Sequence, residues 1–245
     1  MPWTVLRYHE VDSTNNVCKA LASQGADDTA VIAAVQTAGK GRLGRSFQSP
    51  AGGLYLSALW RECPSQQLLT VTPLAAVAVC RAVESLCPAR CGIKWCNDVV
   101  LCGKKLCGIL TESSLLPDGS ADWLVVGIGV NVGQAAFPPD IGDMATSLAL
   151  QGFRVSPDAL GDAILRQLTA LRQVLPDPAA WLAEYRRRCV NLGRPVRVLR
   201  GDIARPATAL DVDAQFGLTV RYEDGTTEAV RSGEVSVRGL YGYIE

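Results

Sequence analysis

Histidine is almost missing from this chain: His9 is the only imidazole in 245 residues. Ser-His-Asp triads and Cys-His pairs need an imidazole base beside the nucleophile, so both are weakly supported. Zinc is disfavoured too, because Cys91, Cys96, Cys102 and Cys107 are separated by gaps of four and five residues, wider than typical hooks. Net charge is missing as well. Twenty-four Lys and Arg balance twenty-four Asp and Glu, so no bulk field draws the chain to nucleic acid or to an anionic membrane. Any polyanion must be held locally. Met1 to Ser13 lacks a basic segment followed by an apolar one, and no apolar stretch of about eighteen uncharged residues follows, so neither secretion nor membrane spanning is expected. This reading makes the protein cytoplasmic. Cysteine is not scarce, but nine is an odd number, which fits free, buried thiols in a reducing compartment better than a disulfide framework.

A composition of 48% hydrophobic and 20% charged residues describes a folded globular chain. Capping residues at Ser13 predict a helix to Ser23 behind a strand end at Val11-Asp12. Thr29 to Gln36 reads as a buried strand and Gly53 to Arg61 as an alternating one. Pro73 to Leu86 reads as a buried helix with Pro73 in its first turn. Ile93 to Trp95, Val99 to Cys102 and Lys105 to Ser113 suggest a hairpin about a Gly103-Lys104 turn, and Trp123 to Val132 is a further strand. Helical periodicity returns at Pro157 to Leu175 and Pro178 to Cys189. Beyond Asn191 the texture changes to short strands, Val196 to Arg200, Ala207 to Val212, Leu218 to Tyr222, Thr226 to Arg231 and Val235 to Arg238. That pattern predicts a small β-barrel of the SH3-like kind. The expected domains are therefore 1–190 and 191–245.

The most informative stretch is Gln36-Thr37-Ala38-Gly39-Lys40-Gly41-Arg42-Leu43-Gly44-Arg45-Ser46. Its glycines let backbone amides converge, and its cations concentrate positive charge that a neutral protein does not need for solubility. A nucleoside triphosphate would use both features. The spacing matches neither a Walker loop nor a dinucleotide fingerprint. Taken alone, such a loop is as well explained as a solvated surface.

Lys94-Trp95-Cys96-Asn97-Asp98, Lys104-Lys105-Leu106-Cys107-Gly108-Ile109-Leu110 and Gly127-Ile128-Gly129-Val130-Asn131 follow in order. With Asp12-Ser13-Thr14-Asn15 and the glycine/arginine loop, this combination resembles the biotin-protein ligases. The segment from Pro157 to Glu245, including Gly233-Glu234-Val235-Ser236-Val237-Arg238, is similar to that family's helical closure and C-terminal cap. The resemblance implies an α+β fold, with a mixed-sheet catalytic domain of the biotin/lipoate ligase type followed by the SH3-like barrel. It implies an ATP-dependent enzyme that joins biotin to AMP and then passes the biotinyl group to a lysine of a biotin carboxyl carrier domain.

On that resemblance Lys105 and Arg42 are the catalytic cations, Lys105 bridging the biotin carboxylate and α-phosphate and Arg42 lying along the acyl-phosphate. Ser13, Thr14, Asn15 and Gln36 are the headgroup site, since a ureido ring offers one carbonyl and two N–H groups to short polar side chains. Lys40, Gly41 and Gly108 complete the biotin site. Gly39, Arg45, Asn97, Asp98, Asn131 and Arg238 join Arg42 around ATP. Asn97 and Asp98 either organise the Lys105 hairpin or face the water shell of Mg2+, and no direct metal ligand is assigned. Lys104 and Lys105 are neighbours on a strand, so only one can face inwards.

Three positions depart from the family pattern: Cys96 for its proline, Leu43 where many relatives carry a basic residue, and Phe47 for a tryptophan. No counterpart of the N-terminal DNA-binding domain of some ligases is expected, nor any nucleic-acid or membrane partner. The assembly is expected to be a monomer or homodimer. Lipoate-protein ligase chemistry is the nearest alternative, and a non-catalytic SH3-like interaction protein is the alternative of a different class.

Overall fold

The computed structural model describes residues 3–231 and 236–239. Its larger unit is a mixed sheet of seven strands: β1 (Thr4–Val11), β2 (Thr29–Gln36), β3 (Leu54–Cys63), β4 (Gly92–Lys94), β5 (Asp98–Leu101), β6 (Lys104–Leu115) and β7 (Ala121–Val130). Their spatial order is β1-β2-β3-β7-β6-β5-β4, with β1 and β2 parallel and every other pair antiparallel. Helix α1 (Thr14–Ser23) covers one face. Helices α2 (Ser65–Leu86), α3 (Pro157–Gln173) and α4 (Ala179–Arg188) are associated with the other.

Successive strand residues point to opposite faces, and the two apolar clusters divide accordingly. Val31, Leu59 and Val125 pack with Cys18 and Ala22 of α1, whereas Ile32, Trp60 and Val126 join the larger core with Leu74, Ala78 and Leu168. Register then aligns the α1-facing row. Ser57 and Leu110 lie opposite Gly127, and Gly108 lies opposite Gly129. The glycines in this row lower the sheet surface at one end of α1, and the site is built there.

Two elements differ from the sequence reading. α2 begins at Ser65, so Pro73 lies inside it rather than in its first turn. The missing Pro73 N–H costs one bond to the carbonyl of Leu69, a residue 50% exposed, while the apolar face continues unbroken through Val71, Leu74 and Ala75. The uncharged stretch is also longer than anticipated. Among the described residues α2 is the one helix long and apolar enough to cross a membrane by length and composition, and 67% of that window is buried inside the protein. The second difference is β1, of which only the end at Val11 was foreseen. It is a largely exposed edge strand whose Thr-Val-Leu-Arg-Tyr-His-Glu-Val sequence lacks clean alternation.

The smaller unit is an antiparallel sheet of β8 (Pro195–Arg200), β9 (Ile203–Val212), β10 (Leu218–Tyr222), β11 (Thr227–Val230) and β12 (Ser236–Gly239), ordered β11-β10-β9-β8-β12. It continues the larger core. Phe216, on the β9–β10 turn, stacks on Trp181 with ring centroids 4.2 Å apart and meets Tyr185 edge-on at 5.2 Å.

Candidate active site

One cavity collects residues from α1, β2, the glycine loop and strands β6 and β7, and its volume is about 50 Å³. At one end lie Ser13, Thr14, Asn15 and Gln36; at the other, Arg42, Asn97 and Lys105; Gly108, Gly127 and Gly129 lie between. Each of these glycines has a neighbour where a Cβ would stand. At Gly127 it would be 2.2 Å from Asn15 Oδ1, at Gly129 2.5 Å from the Phe47 ring, and at Gly108 3.1 Å from Lys105 Nζ.

The polar end is pre-arranged. Ser13 is the N-cap of α1, yet its side chain makes no capping bond, which leaves the hydroxyl facing the cavity. Gln36 Oε1 accepts from the Thr14 backbone N–H at 2.9 Å, and its Nε2 donates to Ser49 Oγ at 2.8 Å, tying the loop to the start of α1. Behind this layer lie groups that the sequence reading missed. Buried Ser57 reaches Thr14 Oγ1 at 2.7 Å and Asn15 Oδ1 at 2.6 Å. Glu112 accepts from Asn15 Nδ2 at 2.7 Å and from Lys19 Nζ at 2.8 Å. Burial alone would raise the Glu112 carboxyl, but the bonds from Lys19 and Asn15 outweigh it and hold it below its ordinary range. The available signal was the strand period for Glu112, which shares a face of β6 with Gly108; Ser57 joins that face only through its register with Gly127.

At the cationic end Lys105 Nζ pairs with Asp98 Oδ1 at 2.8 Å and lies 5.8 Å from the Phe47 ring centroid. Lys104 turns away and donates to the carbonyl of Gly142 at 3.2 Å. The turn before them is formed by Cys102 and Gly103, both at positive φ, so Lys104 already belongs to β6. Arg42 Nη1 donates to Asn97 Oδ1 at 3.0 Å and reaches Cys96 Sγ at 3.3 Å. The thiol at the proline position thus touches the loop arginine. Asn97 Nδ2 donates to Asp98 and to the Ile109 carbonyl, each at 3.2 Å, which makes this pair part of the Lys105 hairpin.

The loop folds into a small hairpin: Gly41 N–H donates to the Arg45 carbonyl, Phe47 N–H to the Gly39 carbonyl, and Arg42–Gly44 form a single 3-10 turn. A Cβ at Gly39 would come within 2.4 Å of the Phe47 carbonyl. Leu43 sits at the tip in the left-handed region, 68% exposed. Lys40 donates to Asn16 Oδ1 at 2.8 Å.

The remaining ATP-side candidates lie outside the lining. Arg45 is exposed on the return limb. Asn131 is buried behind Lys105, donating to the Thr146 carbonyl at 2.9 Å. The side chain of Arg238 lies outside the described residues. Among the described residues no group of three or more His, Cys, Asp or Glu side chains is arranged to hold a metal ion. Seven of the nine cysteines are buried, and burial pushes the thiols of Cys18 and Cys63 up to about 12 and about 11.

With this geometry in place, sequence-family comparison finds that residues 8–131 match the model of the Biotin/lipoate A/B protein ligase family. The chain belongs to that family. Residues 192–238 match the Biotin protein ligase C terminal domain. The biotin--[acetyl-CoA-carboxylase] ligase of Mycobacterium tuberculosis is 36% identical over 241 residues, covering 92% of this chain and 86% of that one. The bifunctional ligase/repressor BirA of Bacillus subtilis is 41% identical over 150 residues, which are 59% of this chain and 46% of its own length. This ligase-family chain thus spans less than half of that relative. The fold is also that of the Aquifex aeolicus biotin protein ligase in complex with biotin and ATP, with a TM-score of 0.82 at 29% identity over 96% of this chain and 99% of that one.

Proposed function

We propose that this chain is an ATP-dependent biotin-protein ligase, with residues 1–190 carrying the chemistry and 191–245 closing it from behind. The observation that carries the reading is the joining, in one cavity, of an uncharged hydrogen-bonding end at Ser13, Thr14, Asn15 and Gln36 to a cationic end at Arg42 and Lys105. A ligand with a ureido ring at one end and a carboxylate at the other has that polarity.

In the first half-reaction a biotin carboxylate oxygen attacks the α-phosphorus of ATP, and the bond from that phosphorus to the β-phosphate oxygen breaks, releasing pyrophosphate. The step brings two anions together. Lys105 offsets their repulsion from the sheet and Arg42 from the loop, in a site from which Phe47 helps to exclude water. In the second half-reaction the neutral amine of a carrier lysine attacks the acyl carbon. AMP leaves with the electron pair of the broken C–O bond, and the amine proton passes to solvent. Magnesium would enter with the nucleotide: among the described residues no three His, Cys, Asp or Glu side chains are arranged to hold a metal ion, and Asp98 is paired with Lys105, so phosphate oxygens and water would supply its ligands.

Calorimetric titration with biotin, with and without MgATP, tests the reading together with transfer of labelled biotin to a biotin carboxyl carrier domain. Binding that tightens with MgATP, followed by labelling of one carrier lysine, is the expected result. Preference for lipoic acid over biotin in the same assay would move the chain to the lipoate branch, and no binding of either would overturn the reading.

A further inference from the structure

Behind the polar end of the cavity runs a chain of hydrogen bonds whose direction is set at one place. Glu112 on β6 is held ionised by Lys19 at 2.8 Å, so its carboxylate only accepts. The Asn15 amide must therefore turn Nδ2 towards it, at 2.7 Å, with the Leu110 carbonyl 3.4 Å away as a second acceptor. That leaves Asn15 Oδ1 pointing at Ser57, whose oxygen is 2.6 Å away. Oδ1 carries no hydrogen, so it accepts from the Ser57 hydroxyl. The Thr14 hydroxyl gives its own proton to Gln36 Oε1 at 3.1 Å, so Thr14 Oγ1, 2.7 Å from the Ser57 oxygen, can only accept from Ser57. Both hydroxyl protons are thus committed to protein acceptors.

The outcome is a defined pattern facing inwards. Thr14 Oγ1 and Asn15 Oδ1 present lone pairs, Gln36 Oε1 being taken up by the Thr14 N–H and hydroxyl, and the Ser13 hydroxyl, which caps nothing, is the donor beside them. Two acceptors beside one donor complement two N–H groups flanking a carbonyl. Glu112 and Ser57 do not line the cavity themselves, so any influence on a ligand passes through Asn15 and Thr14.

We propose that Glu112 is a positioning residue for substrate specificity: acting through Asn15, Ser57 and Thr14, it fixes the headgroup end as an acceptor surface selective for a cyclic urea. The inference rests on the biotin-ligase reading of the site. A neutral side chain at 112 no longer dictates the Asn15 orientation. The amide can then rotate, the Ser57 proton is left to Thr14 alone, and Asn15 turns a donor towards ligand N–H groups.

The experiment compares wild type with Glu112→Gln by steady-state kinetics and by calorimetry with three probes: biotin, desthiobiotin, which keeps the urea ring, and lipoic acid, which lacks it. The expected result is a rise of about tenfold or more in KM for biotin, with kcat and KM for ATP within about twofold of wild type. Affinity for desthiobiotin should fall by the same factor, while that for lipoic acid stays unchanged. Ser57→Ala cuts the relay without removing a charge. It should reproduce the split at a smaller size of about three- to tenfold, so the proposal stays testable if Glu112→Gln fails to fold. An unchanged KM for biotin in both variants, or parallel losses towards ATP and all three acids, would overturn the positioning role. Failure of the wild-type protein to bind biotin in the same titration would instead overturn the ligase reading.

Discussion

The Trp95 indole N–H donates to the carbonyl of Phe216 at 2.9 Å, joining the Lys94–Asp98 motif beside the cavity to a turn of the C-terminal sheet. A second bond runs alongside, from the Trp95 backbone N–H to Asn191 Oδ1 at 2.7 Å. The segment that places Asn97 against Arg42 and Asp98 against Lys105 is thus braced from behind by the smaller unit.

Phe216→Ala should expose the cost of losing that brace. The ring is 3% exposed and fills the space between Trp181 and Tyr185, so truncation should destabilise the protein by about 3–5 kcal/mol. Thermal unfolding should shift down by about 6–20 °C. A midpoint within a degree of wild type would contradict the packing argument.

Lys105→Ala should lower the rate of pyrophosphate release by about two to three orders of magnitude with the fold intact, as removal of one fixed transition-state charge does elsewhere. Lys104→Ala is the control, because its ammonium meets the Gly142 carbonyl rather than the cavity. Comparable losses in the two variants would remove the distinction between them.

The cavity residues that the sequence exposed most clearly sit in polar or glycine-rich interruptions of apolar runs: Ser13 to Asn15 before α1, Gly108 in β6, Gly127 and Gly129 in β7. The interruptions are local, so they show in one dimension. Glu112 shares a face of β6 with Gly108, but Ser57 joins them only through register, which sets it opposite Gly127, and pairing between strands as far apart in the chain as β3 and β7 is not written in either strand. β2 was read to the residue because both its faces are covered, whereas β1, exposed along one edge, carried too little alternation. In α2 a proline that starts many helices instead lies within one, because burial of the surrounding apolar face outweighs one lost backbone bond.

Phe47 lies where it can close the cavity. Its ring lies against Gly129 and Gly108 and leaves a cavity of about 50 Å³, too small for a bicyclic acid, so the loop must lift to admit one. Phe47→Ala should speed biotin association and speed dissociation more, raising Kd by about tenfold or more as ring contacts are lost. Stopped-flow tryptophan fluorescence reads both rates, and an unaltered dissociation rate would exclude the ring from the bound state. In wild type, biotin with MgATP should slow tryptic cleavage at Lys40, Arg42 and Arg45.

Acid stability should follow a second network, in which Arg188 pairs with Glu84 at 2.7 Å and Glu184 at 2.9 Å while Arg81 also meets Glu184. Burial alone would raise both carboxyls, but their arginine partners hold them below the ordinary glutamate value of 4.5. Folded values below unfolded ones give stability that is complete above 4.5 and is lost as pH falls through the folded values. Midpoints should therefore drop from about pH 5 towards pH 3, and Arg188→Met should flatten that slope while costing about 1.5–3 kcal/mol at neutral pH. Identical slopes for the two proteins would assign acid sensitivity to other carboxylates.

Arg42 should matter more for keeping the adenylate than for making it. Its guanidinium comes from the loop hairpin and reaches Asn97 across the cavity, so it links the movable part of the site to the fixed Lys105 hairpin. A charge-assisted bond of this kind is worth about 1.5–3 kcal/mol. In Arg42→Gly, Lys105 still supports activation, but the loop has lost its anchor and the product escapes before a carrier arrives. Biotinyl-AMP in solution acylates exposed lysines without selection. Incubating the variant with biotin, MgATP and an unrelated lysine-rich protein should label that bystander more heavily than the wild-type enzyme does, with pyrophosphate release measured alongside. Equal bystander labelling at matched adenylate synthesis would show that retention rests on other residues.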